Sequence, residues 1–132
     1  MDRSLVMAKV DEHMSHRHRW GLTDCCTSAV TVVSLLHRVP NPVALFLGQY
    51  HSREAAIQLA ESFGGFRPMI HRLTSQADWQ PVTLPEPGDL GVQWEKELGS
   101  LLVYVGKGLW AGKSLMGYTL LTRSDFNWRP RR

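Results

Sequence analysis

Cysteine is scarce. The 132 residues hold two, Cys25 and Cys26, adjacent in the chain. Neighbouring cysteines cannot form an ordinary structural bridge, because their Cα atoms lie too close, and no third cysteine offers a partner. Stapling by intrachain disulfides is therefore excluded. Long apolar runs are missing as well: residues 29–36, 43–47 and 101–105 are the longest candidates, well short of the roughly eighteen that a membrane helix needs. No membrane span is expected. The opening Met1-Asp2-Arg3-Ser4 lacks an apolar core followed by a small-residue cleavage site, so synthesis in a cytoplasm without a secretory signal is expected. Charge of one sign is not in large excess. The net +3 comes mainly from the ends, with Arg17 and Arg19 near the front and Arg129, Arg131 and Arg132 at the back. No aromatic residues interleave these arginines in a way that would stack bases, so no nucleic-acid partner is expected and the basic end reads as a solvated terminus.

What remains is an ordinary globular composition, 43% apolar and 20% charged, in a length that suits one domain. The expected organisation is a single domain over 1–132, with an N-terminal helix and connector over 1–19 and a basic C-terminal tail over 122–132. Leu5, Val6, Met7 and Val10 among charged neighbours predict a short amphipathic helix over the first dozen residues. His13, His16 and His18 crowd a polar connector. No cysteine or carboxylate pattern completes a tetrahedral metal set around them, and no cofactor is expected.

From Thr23 the periodicity changes. Cys25, Ala29, Val32, Val33 and Leu36 recur at steps of three and four, which predicts a helix to about His37, capped by Thr23 or Asp24, with Cys25 in its first turn. Pro40 and Pro42 stop it. Ser52 can cap a second helix carrying Ala56, Leu59, Ala60 and Phe63, closed by Gly64-Gly65. Residues 66–78 carry a mixed signal, with a short helix expected over 74–79. Strand chemistry follows: 82–84, 90–94, 100–105, a hairpin turn at Gly106-Lys107-Gly108, a return over 109–111 and a last strand over 118–121. Helices first and an antiparallel sheet after make an α+β domain.

A thiol in the first turn of a helix is favoured as thiolate, since free N–H groups and the helix dipole stabilise negative charge there. Cys25 is thus the candidate nucleophile, and a hydrolase built on it would need a histidine base within hydrogen-bond reach. Trp20-Gly21-Leu22-Thr23-Asp24-Cys25, then a helix with small residues at Ser28 and Ala29, then Pro87-Gly88-Asp89-Leu90 and Val103-Tyr104-Val105-Gly106, together resemble the NlpC-type cell-wall peptidase superfamily. More closely, they resemble small phage-encoded tail proteins related to it. The similarity spans roughly residues 19–121. It implies a papain-like fold, a peptide of bacterial peptidoglycan as substrate, no metal or organic cofactor, and Cys25 in the nucleophile's place.

One departure from that pattern bears on activity. Active members of the superfamily carry a catalytic histidine six residues before the glycine of the second motif, and Ser100 stands there. A serine hydroxyl cannot serve as the base that neutral imidazole provides near pH 7. His18, His51 and His71 lie outside the motif position and read as ordinary polar histidines. Asp24 reads as a helix cap and Asp89 as a turn former, while Cys25 without a base reads as a buried packing residue. Trp128 is the best-placed tryptophan for anchoring a protein interface. The resemblance therefore implies a virion component of the tail tip or baseplate, made in the host cytoplasm, whose hydrolase site is degenerate and whose partners are other tail proteins. An active peptidase or amidase opening host peptidoglycan is one alternative, and a tail assembly factor another.

Overall fold

Asp2 starts the first helix. Its carboxylate accepts the Ser4 N–H at 2.7 Å and caps α1 (Arg3–Met14). The computed structural model describes residues 1–131; Arg132 lies outside them. Val6, Val10 and Met14 recur at four-residue steps along α1 and are fully buried, which fixes its inner face. His13 belongs to this helix and not to the connector after it.

Helix α2 (Ser28–His37) buries Ala29, Val30, Val32 and Val33, most of its circumference, because α1 lies on one side of it and the sheet on the other. It closes when Val39 donates to the Ser34 carbonyl at 3.1 Å, with Arg38 in the left-handed region at φ 57°. After a 3-10 turn (Ala44–Phe46), Ser52 Oγ accepts the Ala55 N–H at 3.1 Å and starts α3 (Arg53–Glu61). Gly65 follows at φ 125° and leads directly into α4 (Phe66–Gln76). This helix is much longer than the expected 74–79 segment. Phe66, Met69, Ile70 and Leu73 form a buried stripe, and Pro68 falls in the first turn, where a missing N–H has no intrahelical partner to lose.

The six strands are β1 (Trp79–Pro81), β2 (Leu90–Gln93), β3 (Ser100–Gly106), β4 (Leu109–Lys113), β5 (Tyr118–Leu121) and β6 (Phe126–Pro130). They form one sheet in the order β1-β6-β2-β3-β4-β5, with each neighbouring pair antiparallel. The domain is α+β. Two strand expectations need correction. The first strand covers 79–81 and not 82–84; beyond Pro81 the chain keeps one backbone bond to β6, Val82 N–H to Asn127 O, and the Leu84 carbonyl accepts from the Arg129 side chain before the Pro85-Glu86-Pro87 turn. The expected basic tail over 122–132 is, for residues 126–130, an interior strand of the sheet.

That second correction changes the core. Phe126, Trp128 and Pro130 alternate toward the helices, and Trp128 is buried, so it is a core residue and not an exposed interface anchor. Arg129 and Arg131 alternate with them and gave the segment its basic appearance. On the other face, Trp110 lies so close over Gly91 that a Cβ there would meet the indole at 2.4 Å, with Ser124 Oγ at 2.5 Å. Glycine at position 91 is what lets the loop after β5 and this tryptophan cover the sheet's outer side. Among the described residues, no helix is long and apolar enough to cross a membrane.

Candidate functional site

The loop from Trp20 to Thr27 is organised around one buried carboxylate. Asp24 is fully buried. Its Oδ2 accepts the Gly21 N–H and the Tyr50 hydroxyl, each at 2.7 Å. Its Oδ1 accepts the N–H groups of Cys26 at 2.8 Å and Thr27 at 2.9 Å, and the Thr27 hydroxyl at 3.1 Å. A buried carboxylate is tolerated only when its lone pairs are filled in this way. Burial pushes the pKa of the Tyr50 hydroxyl far above its ordinary value, with the charges of Cys26 and Asp24 acting in the same direction, so it stays protonated and donates.

Gly21 makes the arrangement possible. It adopts φ 81°, and a Cβ there would come within 2.3 Å of the Tyr50 carbonyl oxygen. The Gly48 N–H bonds to the Gly21 carbonyl at 2.9 Å, so the 20–25 loop and the 48–50 segment are joined both through backbone and through Asp24.

Cys25 is not in the first turn of α2, contrary to the sequence expectation. The helix begins at Ser28, and residues 25–27 form a turn ahead of it. The N–H groups of Cys26 and Thr27, which would have favoured a thiolate, are taken by the Asp24 carboxylate. Asp24 therefore caps this turn and not α2 as expected, since the N-cap of that helix is Thr27 with no side-chain bond, and it takes the N–H groups that could have stabilised a Cys25 thiolate. Cys25 is half-buried against the core rather than buried, and Cys26 is the buried one of the pair.

The Cys25 thiol has two hydrogen-bond partners among the described residues: the Cys26 sulfur at 3.9 Å and the Gly99 carbonyl at 3.6 Å. The hydrogen bond from Cys26 draws the Cys25 thiol below its ordinary pKa, against burial and the negative charges of Asp24 and Glu95. The Cys26 thiol is pushed the other way, first by its bond to Cys25 and then by burial. The Cys25 carbonyl accepts the Leu101 N–H at 2.9 Å. Gly99 and Leu101, the two chain neighbours of Ser100, thus both touch Cys25, and the half-buried Ser100 opens β3 beside it.

None of the hydrogen bonds of the Cys25 thiol among the described residues is to a histidine. His18 meets Trp20 edge-on at 4.6 Å. His51 is exposed. His71 sits in an aromatic cluster, with ring centroids 5.5 Å from Trp94, 5.0 Å from Phe126 and 5.5 Å from Trp128, and burial followed by the Arg67 charge lowers its pKa. His37 bonds to the Gly88 carbonyl at 2.9 Å. Among the described residues no group of three or more His, Cys, Asp or Glu side chains is arranged to hold a metal ion.

Asp89 does more than form a turn. It accepts the Glu86 N–H at 2.8 Å and is buried against Arg129, which donates Nε to Oδ1 and Nη2 to Oδ2, both at 2.8 Å. The fork-on-fork pair raises the Arg129 pKa and ties the Pro87-Gly88-Asp89-Leu90 turn to β6. Neither Tyr50 nor Arg129 was singled out by motif, since each acts through a partner many residues away.

Comparison with known proteins gives one family. The model described as a domain of unknown function, DUF6950, matches residues 2–129. No curated protein and no solved structure matches the chain. With nearly its whole length covered by that one model, the chain belongs to the DUF6950 family.

Proposed function

We propose that the protein is a phage tail-tip or baseplate component with a papain-like, NlpC-type arrangement, whose cysteine-hydrolase site is degenerate and which works by packing against other tail proteins. The carrying observation is the pair of contacts that bracket Ser100: Gly99 O with the Cys25 thiol and Leu101 N–H with the Cys25 carbonyl. They set the position that the resemblance gives to a catalytic histidine next to the candidate nucleophile, and the residue there is serine. A thiol whose neighbours are a second thiol and a carbonyl oxygen has no group that could accept its proton and return it to a leaving amine. The order of elements, helices ahead of an antiparallel sheet with Cys25 leading into α2, supports the same reading.

The test is direct. Purified protein incubated with peptidoglycan sacculi is expected to release no peptide or amine, and Cys25→Ala is expected to match it. Release by the wild type that Cys25→Ala abolishes would overturn the reading in favour of an active peptidase or amidase, for which the lowered Cys25 pKa is the one favourable observation. Mass spectrometry of purified virions is expected to find the chain. Its absence from finished particles would point to an assembly factor.

A further inference from the structure

Consecutive side chains do not face each other in regular structure, because they point to opposite faces of a strand and to different faces of a helix. Cys25 and Cys26 depart from this. They sit in the turn over residues 25–27, and their sulfurs stand 3.9 Å apart. Both residues are held there by groups outside the pair. The Cys25 carbonyl accepts the Leu101 N–H at 2.9 Å, the Cys25 thiol bonds to the Gly99 carbonyl at 3.6 Å, and Asp24 Oδ1 takes the Cys26 N–H at 2.8 Å.

Two sulfurs so placed are a chelating pair. Sulfurs bound to one ion at the usual metal–thiolate length of about 2.3 Å, with an angle of about 110–120° between the bonds, stand about 3.8–4.0 Å apart. The spacing of Cys25 and Cys26 falls in that interval, and a pair already held at it loses little freedom on binding. The Cα atoms of chain neighbours are too close for an ordinary disulfide, which leaves both sulfurs as thiols. Cys26 is 7% exposed and Cys25 half-buried, so solvent meets the pair on the Cys25 side.

The surroundings select the ion. Among the described residues no group of three or more His, Cys, Asp or Glu side chains is arranged to hold a metal, and the adjacent Asp24 carboxylate has both oxygens filled by hydrogen bonds. An ion that takes four protein ligands, as structural zinc does, is not served, and neither is one that needs several oxygens. Thiolates alone suit a soft ion. We propose that Cys25 and Cys26 form a two-sulfur site for Cu(I), which bridges the two thiolates within one chain while the thiols give up their protons to solvent. The proposal needs only the two thiols, so it is independent of membership in a tail.

Anaerobic titration of the reduced full chain with Cu(I), in competition with the chromophoric chelator bicinchoninate, tests this. The wild type is expected to withdraw one Cu(I) per chain. Cys25→Ser and Cys26→Ser are each expected to weaken binding by about a hundredfold or more, beyond the usual cost of losing an outer-shell partner. Thermal melts establish that each variant folds. X-ray absorption of the loaded wild type, which needs no variant, is expected to show two sulfurs or more on each copper, and native mass spectrometry one copper on a single chain. A wild type that leaves Cu(I) with the chelator overturns the proposal, as does either serine variant binding as well as the wild type, which would place the ion on other groups such as His13, His16 and His18. One sulfur per copper, or copper shared between two chains, overturns it equally.

Discussion

Tyr50 donates its hydroxyl to Asp24 Oδ2 at 2.7 Å, joining two residues that are 26 positions apart and both buried. That bond, with the Gly21 and Cys26 N–H groups on the same carboxylate, is what holds the Cys25 loop in one shape. Tyr50→Phe is expected to destabilise the fold by about 2 kcal/mol, the usual range for losing a hydrogen bond to a charged group. Asp24→Ala strands several donors at once and is expected to cost about 4 kcal/mol or prevent folding. Urea unfolding of both variants checks the order.

Gly21→Ala is expected to be more damaging than an exposed alanine substitution. It combines a φ of 81° with a Cβ placed 2.3 Å from the Tyr50 carbonyl. Gly48, also at positive φ but with nothing near its Cβ, is the matched control. A Gly21→Ala variant as stable as Gly48→Ala would contradict the close approach.

Asp89 is 1% exposed and Arg129 covers it. Arg129→Ala leaves that carboxylate buried without its partner, and a loss of about 3 kcal/mol is expected. Deleting residues 126–132 removes Trp128 and the strand between β1 and β2, and is expected to abolish the cooperative unfolding transition seen by circular dichroism.

The thiols differ in reactivity. Cys25 is half-buried with a lowered pKa, and Cys26 is buried with a raised one. Native protein treated with iodoacetamide near pH 7.5 is expected to be modified first at Cys25. Because the Cys26 thiol is the main cause of the lowering, Cys26→Ala is expected to slow Cys25 alkylation at neutral pH. Peptide mapping over time reads both rates.

His71 gives the pH dependence a sign. Its pKa is lowered from the ordinary 6.5 by burial among the aromatic rings and by Arg67. The unfolded chain then binds the proton more readily than the folded one, so its contribution to stability is complete above the ordinary value and lost as pH falls through it. Unfolding midpoints at pH 7.5 and 5 are expected to differ less in His71→Phe than in the wild type.

Local pattern carried much of this architecture. Ser52 and the apolar spacing after it define α3, and Gly106-Lys107-Gly108 between two apolar runs defines the β3–β4 hairpin, because caps, periodicity and turn chemistry act within a few residues. The α4 stripe of Phe66, Met69, Ile70 and Leu73 was equally local, but Pro68 and a start on Gly65 with no polar cap obscured it. At the candidate site, Cys25, Asp24 and Ser100 were identifiable as residues, but the bonds that join Asp24 to Tyr50 and Cys25 to Gly99 and Leu101 were not.

What the chain determined by itself was the composition of its helices and hairpins and the presence of a thiol with serine where the resemblance calls for histidine. Only the tertiary structure decided that the arginine-rich end is an interior strand, since β6 is held by bonds to β1 and β2 and by Arg129 reaching Asp89, 40 residues away. It likewise decided that Asp24 takes the N–H groups ahead of α2 and leaves Cys25 against Gly99. Hydrogen bonds between distant segments have no signature in local periodicity, because both partners are chosen by where the folded backbone brings them.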